Sequence, residues 1–232
     1  MPEIEPLTAA SPTGGIPVNF REVIYFIESP SPADLLRGRN EGDALARVLS
    51  LGDLNVVYYL CVGLDSIDVA IGDIADKILN QEDYETAFPF IHISAHGSED
   101  GLELTDGDVL LWDQLTNRLN LINDTVGYVG LPPTLNQKIP KISLSLSSCS
   151  AYKNYIEQTP NNSSYQCIVG PTDDVSWCQS LIAFSTFYYR GLIKGGSYEP
   201  AVTAMNMAAG FDKEPDFIFR IHNPHPFENQ EP

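Results

Sequence analysis

The sequence predicts an α/β fold in which one mostly parallel, six-stranded sheet is covered by helices on both faces. Residues 23–27 and 90–95 are nearly continuous apolar runs, which are typical of strands buried on both sides. Amphipathic segments of helical periodicity alternate with these runs, and parallel strands need such crossover helices. The two observations together predict a three-layer sandwich.

Each element follows from its own pattern. The predicted strands are residues 23–27, 55–62, 90–95, 142–148, 165–170 and 216–221. The predicted helices are residues 40–51, 65–79, 111–122, 175–193 and 198–209. Turn signals on both sides of 102–104 predict a small surface hairpin, and 123–141 forms a Gly- and Pro-bearing connection of unusual length.

Length and composition favour one domain. The 232 residues are 43% hydrophobic and contain no internal repeat, so we expect one domain over 20–222. Residues 1–19 are expected to form a flexible segment and 223–232 a polar tail. Neither a secretory signal nor an apolar membrane span is evident, and the four cysteines form no C-x-x-C pair. We therefore expect a cytoplasmic protein with reduced thiols.

The charge of the chain restricts its partners. Thirty-one acidic residues against 13 basic ones give a net charge of −18. This balance argues against nucleic acid and anionic membranes, because phosphate binding needs clustered Lys and Arg. A basic ligand, a basic peptide or a divalent cation is favoured instead. The alternative is that the acidity only keeps the protein soluble.

Two predicted strands end in chemically useful residues. The strand at 90–95 leads into His96 and Gly97, and the strand at 142–148 leads into Cys149. Functional residues gather at the carboxyl ends of parallel strands, and strands consecutive in sequence are usually adjacent. An imidazole beside a thiol is the minimum for a cysteine nucleophile and its base. Taken singly, His96 could be an ordinary hydrogen-bonded histidine and Cys149 a structural thiol.

The order of these motifs resembles that of a known family. A strand ending in His-Gly, followed about 50 residues later by a strand ending in a cysteine, is similar to the caspase-like cysteine peptidases of clan CD. Bacterial CHAT and metacaspase-like members are the nearest in pattern. The resemblance covers residues 23–221 and includes the segments 42–45, 93–97, 146–151, 169–174 and 184–188. It implies a caspase-like three-layer sandwich.

The resemblance also implies a mechanism. Cys149 would attack the scissile carbonyl, and His96 would protonate the leaving amine. The backbone N–H groups of Gly97 and Cys149 would hold the oxyanion. A third triad member is often dispensable in this family, and the sequence shows no compelling acidic residue to orient His96. The implied activity is that of an endopeptidase.

The resemblance leaves the specificity open. Metacaspases place an acidic residue two positions before the cysteine, where this chain has Ser147. CHAT and separase relatives take an acid from the loop after the next strand, which matches Asp173 or Asp174 and implies cleavage after Arg or Lys. The alternative is that both aspartates cap the helix beginning near Val175. Trp177 either walls the substrate pocket or belongs to the core.

No cofactor is expected, because the histidines and cysteines do not cluster as zinc ligands do. Residues 98–100 and 106–108 could bind calcium, although turns explain them as well. The sequence shows no fused sensor domain, so we expect a regulatory partner or self-cleavage to control the cutting of one specific protein substrate. The competing hypothesis is a catalytically silent caspase-like module that binds or scaffolds.

Overall fold

The computed structural model describes residues 23–52, 54–80, 89–129, 139–140, 142–159, 164–212 and 218–222. The strands are β1 (Val23–Ser29), β2 (Asn55–Leu60), β3 (Phe90–Gly97), β4 (Gly101–Glu103), β5 (Val109–Leu111), β6 (Tyr128–Val129), β7 (Ile139–Pro140), β8 (Ser143–Ser147), β9 (Cys167–Pro171) and β10 (Phe219–His222). The helices are α1 (Pro32–Leu36), α2 (Glu41–Ser50), α3 (Leu64–Leu79), α4 (Trp112–Val126), α5 (Ala151–Gln158), α6 (Trp177–Tyr188) and α7 (Tyr198–Ala208).

The main sheet has the strand order β10-β9-β8-β3-β1-β2. The pairs β1–β2, β1–β3, β3–β8 and β8–β9 are parallel, and β10 is antiparallel to β9. The prediction of a mostly parallel sheet is therefore confirmed, and its six predicted strands form the main path. Strand β4 pairs antiparallel with the end of β3, and β5 pairs with β4, so the whole sheet has eight strands among the described residues. The strands that carry the predicted histidine and cysteine, β3 and β8, are neighbours, as their order in the sequence indicated.

Two apolar layers cover the sheet, one on each face. The layer on the first face packs α3, α4 and α5 against the sheet, through residues such as Ile71, Leu119 and Tyr155. The layer on the other face packs α2, α6 and α7, with Leu45 and Phe184 among its buried residues. Each large apolar side chain buried in this way contributes about 1.5–3 kcal/mol. This burial explains why β1 is apolar on both sides rather than alternating.

Some elements differ from the prediction. Helices α1 and α5 were not predicted, and the predicted helix at 175–193 begins at Trp177 and ends in a π-helical turn, Tyr189–Ile193. Helix α1 has only five residues, too few for an apolar period, and Ser31 at its N-cap accepts a hydrogen bond from Asp34 N. The predicted hairpin is confirmed as β4–β5. The predicted terminal segments 1–19 and 223–232, and most of the connection at 123–141, lie outside the described residues.

Cys61 and Cys167 are buried free thiols. Burial raises the pKa of each to about 11, so both are inert at neutral pH. Among the helices of the described residues, none combines the length and apolarity needed to cross a bilayer.

Candidate active site

His96 and Cys149 lie at the same edge of the sheet. Ser94 of β3 pairs in register with Ser147 of β8, and the histidine and the cysteine each follow two residues later. Neighbouring strands are about 4.8 Å apart, and residues two positions apart share a face. The sheet thus brings the imidazole and the thiol to adjacent strand ends, as predicted.

The backbone at this edge is unusually crowded. A Cβ on Gly97 would overlap the carbonyl oxygen of Cys149 and lie 3.2 Å from its amide nitrogen, so only glycine fits here. Ser150 then adopts a left-handed conformation, with φ 54°, before α5 begins at Ala151. The close approach and the turn fix Cys149 against the end of β3.

Asp34 supplies an acidic partner for His96 that the sequence did not reveal. Asp34 Oδ2 lies 2.8 Å from His96 Nε2, and its side chain is 9% exposed, against 40% for the histidine. The sequence shows no compelling acidic residue for this position, and the structure places Asp34 there. The two residues are 62 positions apart, and α1 is too short to be recognised from the sequence.

Several donors hold the Asp34 carboxyl as an anion. Ser31 Oγ donates to Asp34 Oδ2 at 2.6 Å, and Arg39 lies 3.8 Å from the other oxygen. The hydrogen bond from Ser31, followed by the bond and charge of His96 and a bond from Trp177, lowers the pKa of Asp34. An ionised carboxylate only accepts hydrogen bonds, so Nε2 of His96 carries a proton. Nδ1 is then the nitrogen left to exchange protons.

The Cys149 thiol makes a hydrogen bond that does not involve His96. Sγ donates to the carbonyl oxygen of Val175 at 3.5 Å, and among the described residues no hydrogen bond joins it to His96. Burial raises the pKa of the thiol, and the nearby carboxylate of Asp174 raises it further. The structure therefore favours the protonated, weakly nucleophilic form.

The predicted acidic loop lies beside the cysteine. Asp173 accepts a hydrogen bond from Ser150 N through its carbonyl oxygen (3.1 Å), and the side chains of Asp173 and Asp174 are exposed. The N-cap of α6 is Ser176, which accepts a bond from Gln179 N at 3.2 Å. The alternative that these aspartates cap the helix is therefore wrong. Both side chains are exposed, and the Asp174 carboxylate lies near the thiol.

The structure places Trp177 and Ser147 at different depths relative to the site. Trp177 is half-buried, and its ring packs edge-on against that of His96, with centroids 5.1 Å apart. Ser147 is 0% exposed and shares a hydrogen bond of 2.5 Å with Ser180 Oγ. The tryptophan borders the site, whereas the serine lies beneath it.

Sequence reasoning also missed Glu41, a second carboxyl close to the site. Glu41 begins α2 and is buried, and its carboxylate accepts a hydrogen bond from Ser94 Oγ at 2.7 Å. The only signal available was an acidic residue beside the segment 42–45 that carries part of the family resemblance. Nothing in the sequence indicated that its side chain points inward.

The two segments considered for calcium form turns. Ser98 Oγ donates to the Gly101 carbonyl oxygen at 2.9 Å, and Asp106 Oδ1 accepts from Asp108 N at 3.0 Å. Within the described ranges, no three His, Cys, Asp or Glu side chains group closely enough to hold a metal ion.

Comparison with known proteins adds little to these observations. No family model matches the chain, and no curated protein matches it. Among solved structures, the chain is similar to the crystal structure of drICE, a caspase, with 16% sequence identity, coverage of 88% of this chain and 90% of that one, and a TM-score of 0.42. A likeness of this size carries no argument about the site, and the α/β architecture is established by the strand order and register alone.

Proposed function

We propose that this protein is a caspase-like cysteine endopeptidase in which Cys149 is the nucleophile and His96 the general acid and base. The observation that carries the proposal is the pairing of an imidazole, hydrogen-bonded to the Asp34 carboxylate, with a thiol at the next strand end. A nucleophile, a base and a residue that orients the base are the parts that covalent acyl transfer requires.

The proposed chemistry has two steps. The thiol proton passes to His96 Nδ1 as Sγ attacks the scissile carbonyl carbon, and the C–N bond then breaks as Nδ1 gives that proton to the leaving amine. Water next attacks the thioester, with His96 accepting its proton, and the Cys149 thiol is restored with release of the acid. Asp34 holds the imidazolium in place and stabilises its charge, and the N–H groups of Gly97 and Cys149 are proposed to bind the oxyanion.

The proposed substrates have Arg or Lys before the scissile bond. The net charge of −18, the exposed Asp174 near the thiol and the neighbouring exposed Asp173 support a basic residue at this P1 position. A cation that pairs with Asp174 would also neutralise one cause of the raised pKa of Cys149. Binding of the correct substrate would thereby promote formation of the thiolate.

The hydrogen bond of the thiol to Val175 supports control of the activity. Sγ must turn away from Val175 O before it can meet His96, and the loop that holds Val175 also carries both aspartates. We propose that a regulatory protein or self-cleavage moves this loop, and that the active form cuts a specific protein. Unregulated cleavage of many proteins by the isolated chain would contradict this part of the proposal.

Fluorogenic peptides with Arg, Lys or Asp at P1 test the proposal. Cys178 is exposed and would react with any thiol reagent, so all variants are made in a Cys178→Ser background. We expect hydrolysis after Arg or Lys that disappears in Cys149→Ala and His96→Ala. Hydrolysis that survives in Cys149→Ala would refute the assignment of Cys149 as the nucleophile. Hydrolysis after Asp alone would refute the proposed specificity for Arg or Lys.

A catalytically silent binding module is the second candidate. The raised pKa of Cys149 and its hydrogen bond to Val175 favour this candidate, because both reduce nucleophilicity. A silent module would bind the same partner in wild-type and Cys149→Ala forms, without turnover under any condition. A partner that is released in cleaved form by the wild type alone would exclude it.

A further inference from the structure

A buried acidic group lies directly beneath the edge that carries His96 and Cys149. Glu41 is only 4% exposed, and its Oε2 accepts the hydrogen bond of Ser94. The Ser147 hydroxyl lies beside the carboxylate and favours its charged form. Oε1 of Glu41 has no hydrogen-bond partner among the described residues. One acceptor atom of a buried carboxylate is therefore left without a donor.

The side chains around Glu41 differ from those one level further from the strand ends on the same face of the sheet. Two residues earlier along β3 and β8, large aromatic side chains cover the same face, where Tyr188 hydrogen-bonds to both His92 and Ser145. At the level of Glu41, the covering side chains are the small hydroxyls of Ser94, Ser147 and Ser180. The core changes from aromatic to small and polar at the level closest to the site.

The charge of Glu41 is not balanced within the described part of the chain. No Lys or Arg there forms an ion pair with it, and its charged neighbour is another carboxyl, Glu28. Glu28 is itself satisfied by the N–H groups of Gly42 and Asp43 and by the hydroxyl of Tyr58. Burial raises the pKa of Glu41 to about 7. A buried carboxylate without a cationic partner is costly to ionise, which makes a purely structural role a poor explanation.

We propose that Glu41 is the specificity residue that receives the positive charge of the P1 Arg or Lys side chain. This inference rests on the proposed function and places the floor of the specificity pocket on α2, with Asp173 and Asp174 at its exposed rim. Ser147 precedes Cys149 by two residues, a distance of about 7 Å along the strand. The long stem of Arg or Lys spans such a distance past small hydroxyls, and Oε1 is free to accept from its cation.

Peptide binding tests the inference without relying on turnover. In a Cys149→Ala background, calorimetry compares an acetylated tetrapeptide amide ending in Arg with the same peptide ending in citrulline, which has a similar shape and no charge. We expect the Arg peptide to bind at least 10-fold more tightly, and Glu41→Gln to abolish this preference. The Gln side chain keeps the acceptor for Ser94. Asp43→Asn is the matched control, because it removes one negative charge from the partly exposed side of the same helix, and it should leave the preference intact.

A second variant covers a failure of Glu41→Gln to fold. Ser180→Val leaves the carboxylate in place and fills the proposed passage, and it should weaken Arg-peptide binding about as much. Discrimination between Arg and citrulline that persists in the folded variants, or is absent from the parent protein, overturns the inference.

Kinetics then separate this inference from the proposed function. Hydrolysis after Arg at the wild-type rate in Glu41→Gln would leave the peptidase standing and refute the role of Glu41. Arg binding that depends on Glu41 in a protein without any hydrolysis would support the role of Glu41 and refute the peptidase.

Discussion

Replacing Asp34 with Asn tests how the imidazole is positioned. The substitution keeps the size of the side chain and removes the charge that faces His96 Nε2 at 2.8 Å. In the proposed mechanism His96 becomes an imidazolium in the transition state, when the thiol proton has moved to Nδ1. The carboxylate therefore stabilises the transition state more than the ground state, and its loss should lower kcat more than it changes KM.

The expected size of the effect follows from this single hydrogen bond. A hydrogen bond to a charged group contributes about 1.5–3 kcal/mol, and each 1.36 kcal/mol corresponds to a factor of ten in rate. The His96 side chain is 40% exposed, so solvent screening favours the lower part of this range. We expect kcat/KM to fall about 10- to 30-fold.

The assay is the hydrolysis of a fluorogenic Arg peptide, with thermal unfolding measured alongside. Asp73→Asn is the matched control, since Asp73 also has a lowered pKa and accepts hydrogen bonds from Tyr59 (2.7 Å) and Lys77 (2.6 Å), but lies on α3. That variant should keep kcat within about twofold of the wild type. Proton NMR should show a downfield imidazole N–H resonance that Asp34→Asn loses. Unchanged kcat in a folded Asp34→Asn protein would refute the positioning role.

Two further predictions concern the cysteine. Asp174→Asn removes a charge that raises the pKa of Cys149. In the Cys178→Ser background, iodoacetamide should therefore alkylate Cys149 at neutral pH roughly fivefold faster, as expected for about 1 kcal/mol between close, solvent-exposed charges. An equal acceleration by Asp173→Asn would show that only the net charge matters. Gly97→Ala should lower the unfolding temperature and abolish hydrolysis, because the added Cβ would overlap the Cys149 carbonyl oxygen. Gly72→Ala is the control, since its Cβ meets open space, and it should be neutral or stabilising. A Gly97→Ala protein as stable and active as the wild type would contradict the close approach of the two strand ends.

The sheet was predictable because its signals are local. Each strand of the parallel core is indicated by a short apolar run, and each crossover helix is indicated by its helical periodicity. The position of His96 and Cys149 at one edge followed from chain order alone, since β3 and β8 are consecutive among the long strands and became neighbours. What a strand end carries can therefore be read from the sequence.

The groups around the dyad were not predictable, because their partners are distant in sequence. Asp34 and His96 are separated by 62 positions, and Glu41 and Ser94 by 53. Local patterns do not report contacts of this kind, and an acidic residue in the first turn of a helix is also explained by the helix dipole. The alternative that Asp173 or Asp174 caps the helix failed for a local reason, since Ser176, three and two residues further along the chain, is an equally good cap.

The identity of the nucleophile is the central claim, and a peptide chloromethyl ketone ending in Arg tests it most directly. The reagent is incubated with the Cys178→Ser protein, and the modified residue is located by peptide mass mapping. We predict a single adduct on Cys149, which forms more slowly when a substrate peptide is present and is absent from Cys149→Ala. A Cys178→Ser protein that stays unlabelled at Cys149 while another residue reacts would contradict the account.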